Sequence, residues 1–253
     1  MTPTTHYADR FQARDDVTSY EFTEYAPGSY SSRMWELQRP VLRGILERHA
    51  AAVRHPLRLL DFACGTGRVL AETEALGATA EGIDISPEMV AVARAKCARA
   101  RLHVGNILTQ PELLQKGYDA VTAFRFLLNV EPDLRRRVLR RLRELLREPD
   151  GLLLANVHGN AHSLRHPAIL WRRWRERARP SGGMLNEMTA GETRKLLRES
   201  GFQVVRQFGF GILPPSLYRT PLRDPAFAVD KALAGDRWWN DWAVDMLFVC
   251  RPV

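Results

Sequence analysis

Leu59-Leu60-Asp61-Phe62-Ala63-Cys64-Gly65-Thr66-Gly67-Arg68 decides the fold. A short apolar run leads into a turn holding two glycines, and an amphipathic stretch near Val69–Leu76 follows. That order reads as buried strand, tight turn and helix start. Gly65 and Gly67 allow conformations that a Cβ would hinder and let backbone come close to a ligand. In an open α/β sheet, ligands bind in the crevice at the carboxyl ends of the strands.

The pattern repeats outward from this stretch. Strands are predicted at Arg58–Phe62, Thr79–Asp84, Leu102–Val104, Asp119–Phe124 and Leu152–Val157, with helices near Val69–Leu76, Pro87–Ala100 and Asp133–Arg147. Apolar runs alternating with amphipathic stretches are the mark of a parallel sheet covered by helices. Ser86-Pro87-Glu88 starts a helix with a capping hydroxyl, proline at the first position and an acid in the first turn. Thr189 and Glu192 form a capping box for a helix stopping at Gly201. Strands at Phe202–Phe208 and Trp242–Cys250 complete the series. Upstream, Trp35, Leu37, Val41, Leu42, Ile45 and Leu46 carry a helical pattern. We read one domain over 1–253. It has an N-terminal cap (1–56), a core (57–157), a lid-like insertion (158–188) and the closing part of the sheet (189–253), which contains a second insertion over Leu213–Asp241.

Two cofactor classes use such a glycine turn. A dinucleotide fold calls for GxGxxG, but Leu70 stands where its last glycine belongs, and Asp61 would repel a pyrophosphate at the helix start. A cofactor carrying an amino group and a cationic sulfonium would welcome Asp61. Asp84 follows 23 residues later at the end of the second strand, where a carboxylate accepts from both hydroxyls of a ribose.

On these residues the chain resembles the class I S-adenosylmethionine-dependent methyltransferases. Asp61–Arg68 matches their first motif, Gly82-Ile83-Asp84-Ile85-Ser86 their second-strand acid, and Tyr118–Phe124 their fourth strand. Val104-Gly105-Asn106-Ile107 stands where the family contacts adenine, and Thr189–Phe202 resembles the helix and strand near its end. The resemblance covers about residues 55–250 and implies a doubly wound, mostly parallel seven-stranded sheet whose last strand is antiparallel. It implies S-adenosylmethionine as cofactor, held by Asp61, Ala63, Gly65, Gly67, Asp84, Ile85, Met89, Asn106, Ile107 and Phe124, with Tyr30 and Arg33 closing over it from the N-terminal segment. Two positions depart from the family pattern. Ala63 replaces the first glycine, and Asn106 replaces an aspartate, its carbonyl still able to accept from the adenine amino group.

The acceptor side is read from the ends of strands four and five. Phe124-Arg125-Phe126-Leu127-Leu128-Asn129 lacks the Asn-Pro-Pro-Tyr or Asp-Pro-Pro-Tyr stretch of base methylases and the carboxylate of magnesium-dependent members, so no metal is expected. His158 is a candidate general base for a hydroxyl acceptor, with His162 and His166 behind it. Arg125 is a candidate holder of an anionic acceptor. The helix Asp133–Arg147 has Leu134, Val138, Leu142 and Leu145 on one face, with its seven arginines expected on a solvated one. A helix at Pro167–Ala178 sets Trp171 and Trp174 one turn apart among Arg172, Arg173, Arg175 and Arg177, which reads first as a lid. Membrane contact and a dimer face are its lesser readings. Tyr20 and Tyr25, with Tyr30, are expected to close the cleft's other side.

Composition frames this reading. The 253 residues are 45% hydrophobic and 26% charged, with net charge +8, and four of the 37 basic residues are lysines, leaving 33 arginines. A positive field steers anions inward. Cys64, Cys97 and Cys250 have no CxxC spacing, no apolar run approaches the about 18 residues of a spanning helix, and the first residues do not read as a signal peptide, so the cytoplasm is the expected address. The expected activity is methyl transfer to a small molecule, anionic (carboxylate or phosphate) or hydroxyl. An enzyme on RNA or protein is the alternative, and a non-catalytic cofactor-binding protein the third reading. Against nucleic acid, the chain has no appended RNA-binding module and no interleaved lysine and aromatic tract. The oligomeric state is not legible.

Overall fold

Strands buried on both faces carry continuous apolar runs, because helices cover each side of the sheet. β1 (Arg58–Phe62), β4 (Ala120–Ala123) and β5 (Leu152–His158) are of this kind. The computed structural model describes residues 25–164, 171, 174–175 and 187–253. Tyr20, Arg165, His166, Arg172, Arg173 and Arg177, and with them most of the predicted lid helix, lie outside the described residues. With β2 (Thr79–Asp84), β3 (Arg101–Val104), β6 (Phe202–Phe210) and β7 (Asp245–Pro252), the sheet has seven strands in the order β3-β2-β1-β4-β5-β7-β6. β7 runs antiparallel to both neighbours and the other pairings are parallel. The order reverses between β1 and β4, which opens a crevice at their carboxyl ends.

Helices α1 (Tyr30–Ala52), α2 (Arg68–Ala75), α3 (Pro87–Lys96), α4 (Pro132–Leu145), α5 (Ala190–Glu199) and α6 (Arg223–Leu233) supply the two outer layers. One core cluster joins Leu60, Phe62, Val121 and Ala155 to Val138 and Leu142 of α4 and Leu197 of α5. The other joins Leu59, Ala120, Leu154 and Leu247 to Met34, Leu42 and Leu46 of α1. Neighbouring strand residues thus alternate between the two cores.

The helix starts behave as their sequences require. Ser86 Oγ accepts from the Met89 N–H at 3.2 Å with Pro87 in the first turn, and the Thr189–Glu192 capping box is closed in both directions. Each cap contributes about 0.5–2 kcal/mol.

Two expectations need correction, and the second insertion gains an element. The seven arginines of the Asp133–Arg147 stretch do not all lie on a solvated face: Arg135 is buried, its Nε donating to the Val130 carbonyl at 2.9 Å. The last strand begins at Asp245, because Asn240–Trp242 form a 3₁₀ turn. The insertion Leu213–Asp241 contains α6, which buries only Ala226 and Asp230 fully and therefore shows little apolar stripe.

Candidate functional site

The chain leaves β1 through three left-handed residues, Ala63 (φ 53°), Gly65 (φ 52°) and Gly67 (φ 79°). At Ala63 this conformation costs roughly 1–2 kcal/mol, which the surrounding turn must hold. The two glycines do different work. A Cβ on Gly65 would meet nothing within 4 Å, so this turn faces open space. A Cβ on Gly67 would stand 3.0 Å from Cys97 Sγ and 3.1 Å from Ala93 Cβ. Gly67 therefore serves the packing of α2 on α3, a role the sequence reading did not give it.

Asp84, 8% exposed, ties this turn to β2. Its Oδ2 accepts from the Gly65 N–H at 2.9 Å and its Oδ1 from the Ser86 N–H at 3.0 Å. Burial raises its pKa, and the N–H groups of Ser86, Gly65 and Ile85 oppose the shift. Each carboxylate oxygen keeps a second lone pair for a ligand hydroxyl. Asp84 lines a cleft of ≈ 370 Å³ together with Ala63, Ile85, Asn106, Ile107 and Phe126, a size suited to a small ligand.

Asp61 lies on the other side of Ala63. Its Cα partner across the sheet is Thr122, whose hydroxyl donates to Oδ1 at 2.6 Å. The second oxygen, Oδ2, is buried without a hydrogen-bond partner. Burial pushes the carboxyl up to about 7; the Asp84 charge adds to the rise, while the Thr122 hydrogen bond, Arg68 and the Leu70 N–H in the first turn of α2 oppose it. An orphaned carboxylate oxygen is costly in a protein interior and marks a place made for a donor or a cation. Asp61, Ala63, Gly65, Arg68, Phe124 and Arg125 line a second, smaller cavity of ≈ 50 Å³, roofed by Tyr25 and Trp35. The Arg68 guanidinium stacks on the Tyr25 ring, 2.9 Å from its centroid. Arg125, also left-handed at φ 55°, donates from Nη1 to the Tyr25 hydroxyl at 2.8 Å and to Ser31 Oγ at 3.3 Å. Neighbouring Cys64 is buried and its thiol is pushed well up, chiefly by burial, so it stays protonated.

The structure brings Asp61, Ala63, Gly65, Asp84, Ile85, Asn106, Ile107, Phe124 and Arg125 to these two cavities. Others it places elsewhere. Tyr30 packs edge-on against Tyr218, centroids 5.1 Å apart, and lines neither cavity. Arg33 is held on α6, Nη2 donating to Asp224 Oδ1 at 3.0 Å and its guanidinium lying 4.5 Å over the Phe227 ring. The first turn of α1 thus meets the second insertion through both side chains. Met89 is buried within α3 and does not line the cleft. His158, half-buried, ends β5 opposite Asp245 and lines neither cavity. At Asn106 the side-chain carbonyl already accepts from the Leu108 N–H at 2.9 Å. The carbonyl keeps a second lone pair and the amide nitrogen its donors, so this side chain can still accept from or donate to a base.

Sequence reasoning missed Arg68 and Trp35 as cavity residues, and Tyr25 as the partner of both arginines. It missed Thr122 too, although a lone polar residue in a buried strand, in register with Asp61, was a usable signal.

The profile of a methyltransferase domain family matches residues 34–207. A putative methyltransferase of Geobacillus sp. (strain WCH70) is 35% identical over 105 residues, covering 40% of this chain and 42% of that protein. The match thus spans about two fifths of the length of this curated relative. Among solved structures, a magnesium protoporphyrin IX methyltransferase from Synechocystis PCC 6803 with bound SAH superposes with TM-score 0.60 at 15% identity, covering 95% of this chain and 99% of that one. A possible histamine N-methyltransferase from Thermotoga maritima gives TM-score 0.57 at 16% identity, covering 94% and 99%. At these identities the structural likeness speaks for the fold.

Proposed function

The chain belongs to the methyltransferase domain family, and from that premise we propose that it moves a methyl group from S-adenosylmethionine to a small-molecule acceptor. One observation carries the cofactor assignment: a buried carboxylate oxygen of Asp61 without a partner, next to a glycine turn that faces open space. A cationic amino acid moiety supplies the missing partner. The cofactor, when bound, brings an electrophilic methyl carbon; the protein's task is to bind, orient and exclude water.

Each residue then has a role it is placed to perform. Asp61 holds the ammonium, and Arg68 and Arg125, lining the same small cavity, lie within reach of the carboxylate that accompanies it. Asp84 accepts from the ribose hydroxyls with its remaining lone pairs. Ile85, Ile107 and Phe126 give the base an apolar slot. The acceptor enters beside Phe124 and Arg125 at the end of β4. An anionic acceptor, carboxylate or phosphate, suits the net charge of +8 and is ionised at neutral pH. A hydroxyl acceptor would need a base, and His158 at the end of β5 is the candidate. The family's methyltransferases on RNA or protein remain the alternative class. No ligand set for a metal is built into the proposal, because Phe124–Asn129 offers no carboxylate.

Calorimetric titration tests the reading. S-Adenosylmethionine should bind at micromolar concentration in the presence of EDTA. Asp84→Ala should weaken it by about 1.5–3 kcal/mol, the worth of charge-assisted hydrogen bonds. Tighter binding of NAD than of the sulfonium compound would overturn the assignment.

A further inference from the structure

Among the described residues, two acids line the larger cleft, Asp84 and Glu131, and no lysine, arginine or histidine lines it. Asp84 already accepts a backbone N–H at each oxygen, and its remaining lone pairs belong to the ribose. Glu131 has no such task. It stands at the N-cap of α4, with φ −65° and ψ 151°, yet its side chain makes no capping hydrogen bond. Shorter side chains suit that position, so capping does not explain a glutamate there. Its spacing does. Glu131, Leu134 and Val138 stand at i, i+3 and i+7, one face of the helix, and all three line the cleft. Nor is Glu131 spent on the nearby cation. Arg135, one turn on, sends Nε to the Val130 carbonyl at 2.9 Å and Nη1 to Met188 Sδ at 3.2 Å. Burial lowers the pKa of Arg135 and the Glu131 charge opposes that shift, so the two groups interact through space. Among the described residues, the Glu131 carboxylate takes part in no hydrogen bond or ion pair.

A half-buried carboxylate on the wall of a cleft without cations is an acceptor that wants a donor from the ligand. The apolar slot of Ile85, Ile107 and Phe126 belongs to the same cleft. On the adenine of S-adenosylmethionine, the donor is the exocyclic amino group. We propose that Glu131 accepts from that amino group and makes the cleft select a 6-amino over a 6-oxo purine. This role rests on the cleft's being the S-adenosylmethionine site, as proposed above. Asn106 lines the cleft too, but it cannot make the same choice. It is exposed, and it offers both a carbonyl lone pair and amide donors, so it suits either purine. An ionised carboxylate only accepts, and in a 6-oxo purine it would face a second acceptor. Its hydrogen bond is also charge-assisted, roughly twice as strong as that of a neutral amide. The amino group has two hydrogens, so a bond to Glu131 leaves the other for Asn106.

The test is calorimetric titration of the full chain, wild type and Glu131→Gln, with S-adenosylhomocysteine and its deaminated analogue S-inosylhomocysteine. Wild type should prefer the amino compound by about 10–100-fold, the range of one hydrogen bond to a charged group. Glutamine has nearly the same shape but presents a donor as well as an acceptor, so the preference should shrink to a few-fold at most. A merely structural role at the start of α4 would lower the melting temperature and weaken both compounds alike, leaving their ratio as it was. A wild-type ratio in Glu131→Gln overturns the role of Glu131, and so does a wild-type protein that binds the two compounds equally or prefers the oxo one. In each of those cases S-adenosylhomocysteine still binds and the function above stands. Wild-type protein that binds neither compound overturns that function, and the role of Glu131 with it.

Discussion

Two carboxylates flank Ala63, and they are prepared in opposite ways. Asp84 faces the larger cleft with both oxygens already accepting backbone N–H groups, so its orientation is set before any ligand arrives. Asp61 faces the smaller cavity with one oxygen on Thr122 and the other buried without a well-formed hydrogen bond, the Leu70 N–H being the backbone donor nearby. The first is a preorganised acceptor whose burial cost is partly offset by the N–H groups it accepts from. The second is a buried charge whose stability depends on an incoming cation. One site thus combines a fixed half and a waiting half, and the contrast can be broken experimentally at each.

The largest effects belong to the glycines. Gly65→Val should remove detectable S-adenosylmethionine binding, because the branched side chain enters the open space that a ligand would fill, while stability falls only by the left-handed strain of about 1–3 kcal/mol. Gly67→Val should instead damage the fold: its Cβ meets Cys97 and Ala93 in addition to the same strain. Melting temperature and calorimetry on the pair separate the two roles. Equal loss of stability in both would erase the distinction.

This pair also shows where the sequence stops speaking. Asp61, Gly65 and Asp84 are legible from local pattern because turn chemistry and strand ends are local. Strands β1 and β2 fall where the apolar runs place them. Which way Gly67 faces depends on α3, thirty residues away in sequence, and nothing local encodes it. The same holds for Tyr30 and Arg33. Their helix was read correctly, but its rotation against α6 and Tyr218 is a tertiary fact. Arg68 was in plain view in the first motif, yet its place in the cavity rests on stacking with Tyr25, a contact across more than forty residues.

The next effect is a pH dependence confined to the waiting half. Asp61 has its carboxyl raised from 3.8 to about 7, so the folded ligand-free protein binds this proton more tightly than the unfolded chain does. Its contribution to stability is therefore fully present below about pH 4 and is lost as pH rises toward 7, by up to a few kcal/mol. Asp84, also raised, adds in the same direction, whereas Asp241, lowered chiefly by its hydrogen bond with Arg194, acts in the opposite one. The difference between wild type and Asp61→Asn isolates the first term. Because a bound cation favours the ionised carboxylate, cofactor affinity should rise up to about tenfold per pH unit toward 7 and then level off. Asp61→Asn should flatten that profile, measured by calorimetry across pH 5–8. An unchanged slope in the variant would move the titrating group elsewhere.

The smallest effect concerns the base, at the far end of the fixed half. Asn106 is exposed, its carbonyl accepts from the Leu108 N–H and keeps a second lone pair, and its amide nitrogen is a donor. The amide suits a ring nitrogen of adenine, and the remaining lone pair of the carbonyl suits its exocyclic amino group. Asn106→Asp keeps an oxygen for Leu108 and turns the second position into an acceptor. If the amino group faces this position, affinity should tighten by about 0.5–1.5 kcal/mol, the net worth of one hydrogen bond. If the amide now donates to a ring nitrogen, the same change removes that bond, sets two acceptors against each other and weakens binding by a similar amount. The sign of the change, read by titration at pH 7.5 where the new carboxylate is ionised, decides which edge of the base the loop after β3 addresses. No change in either direction would mean that the base does not reach Asn106, and that Ile85, Ile107 and Phe126 hold it without help from this side chain.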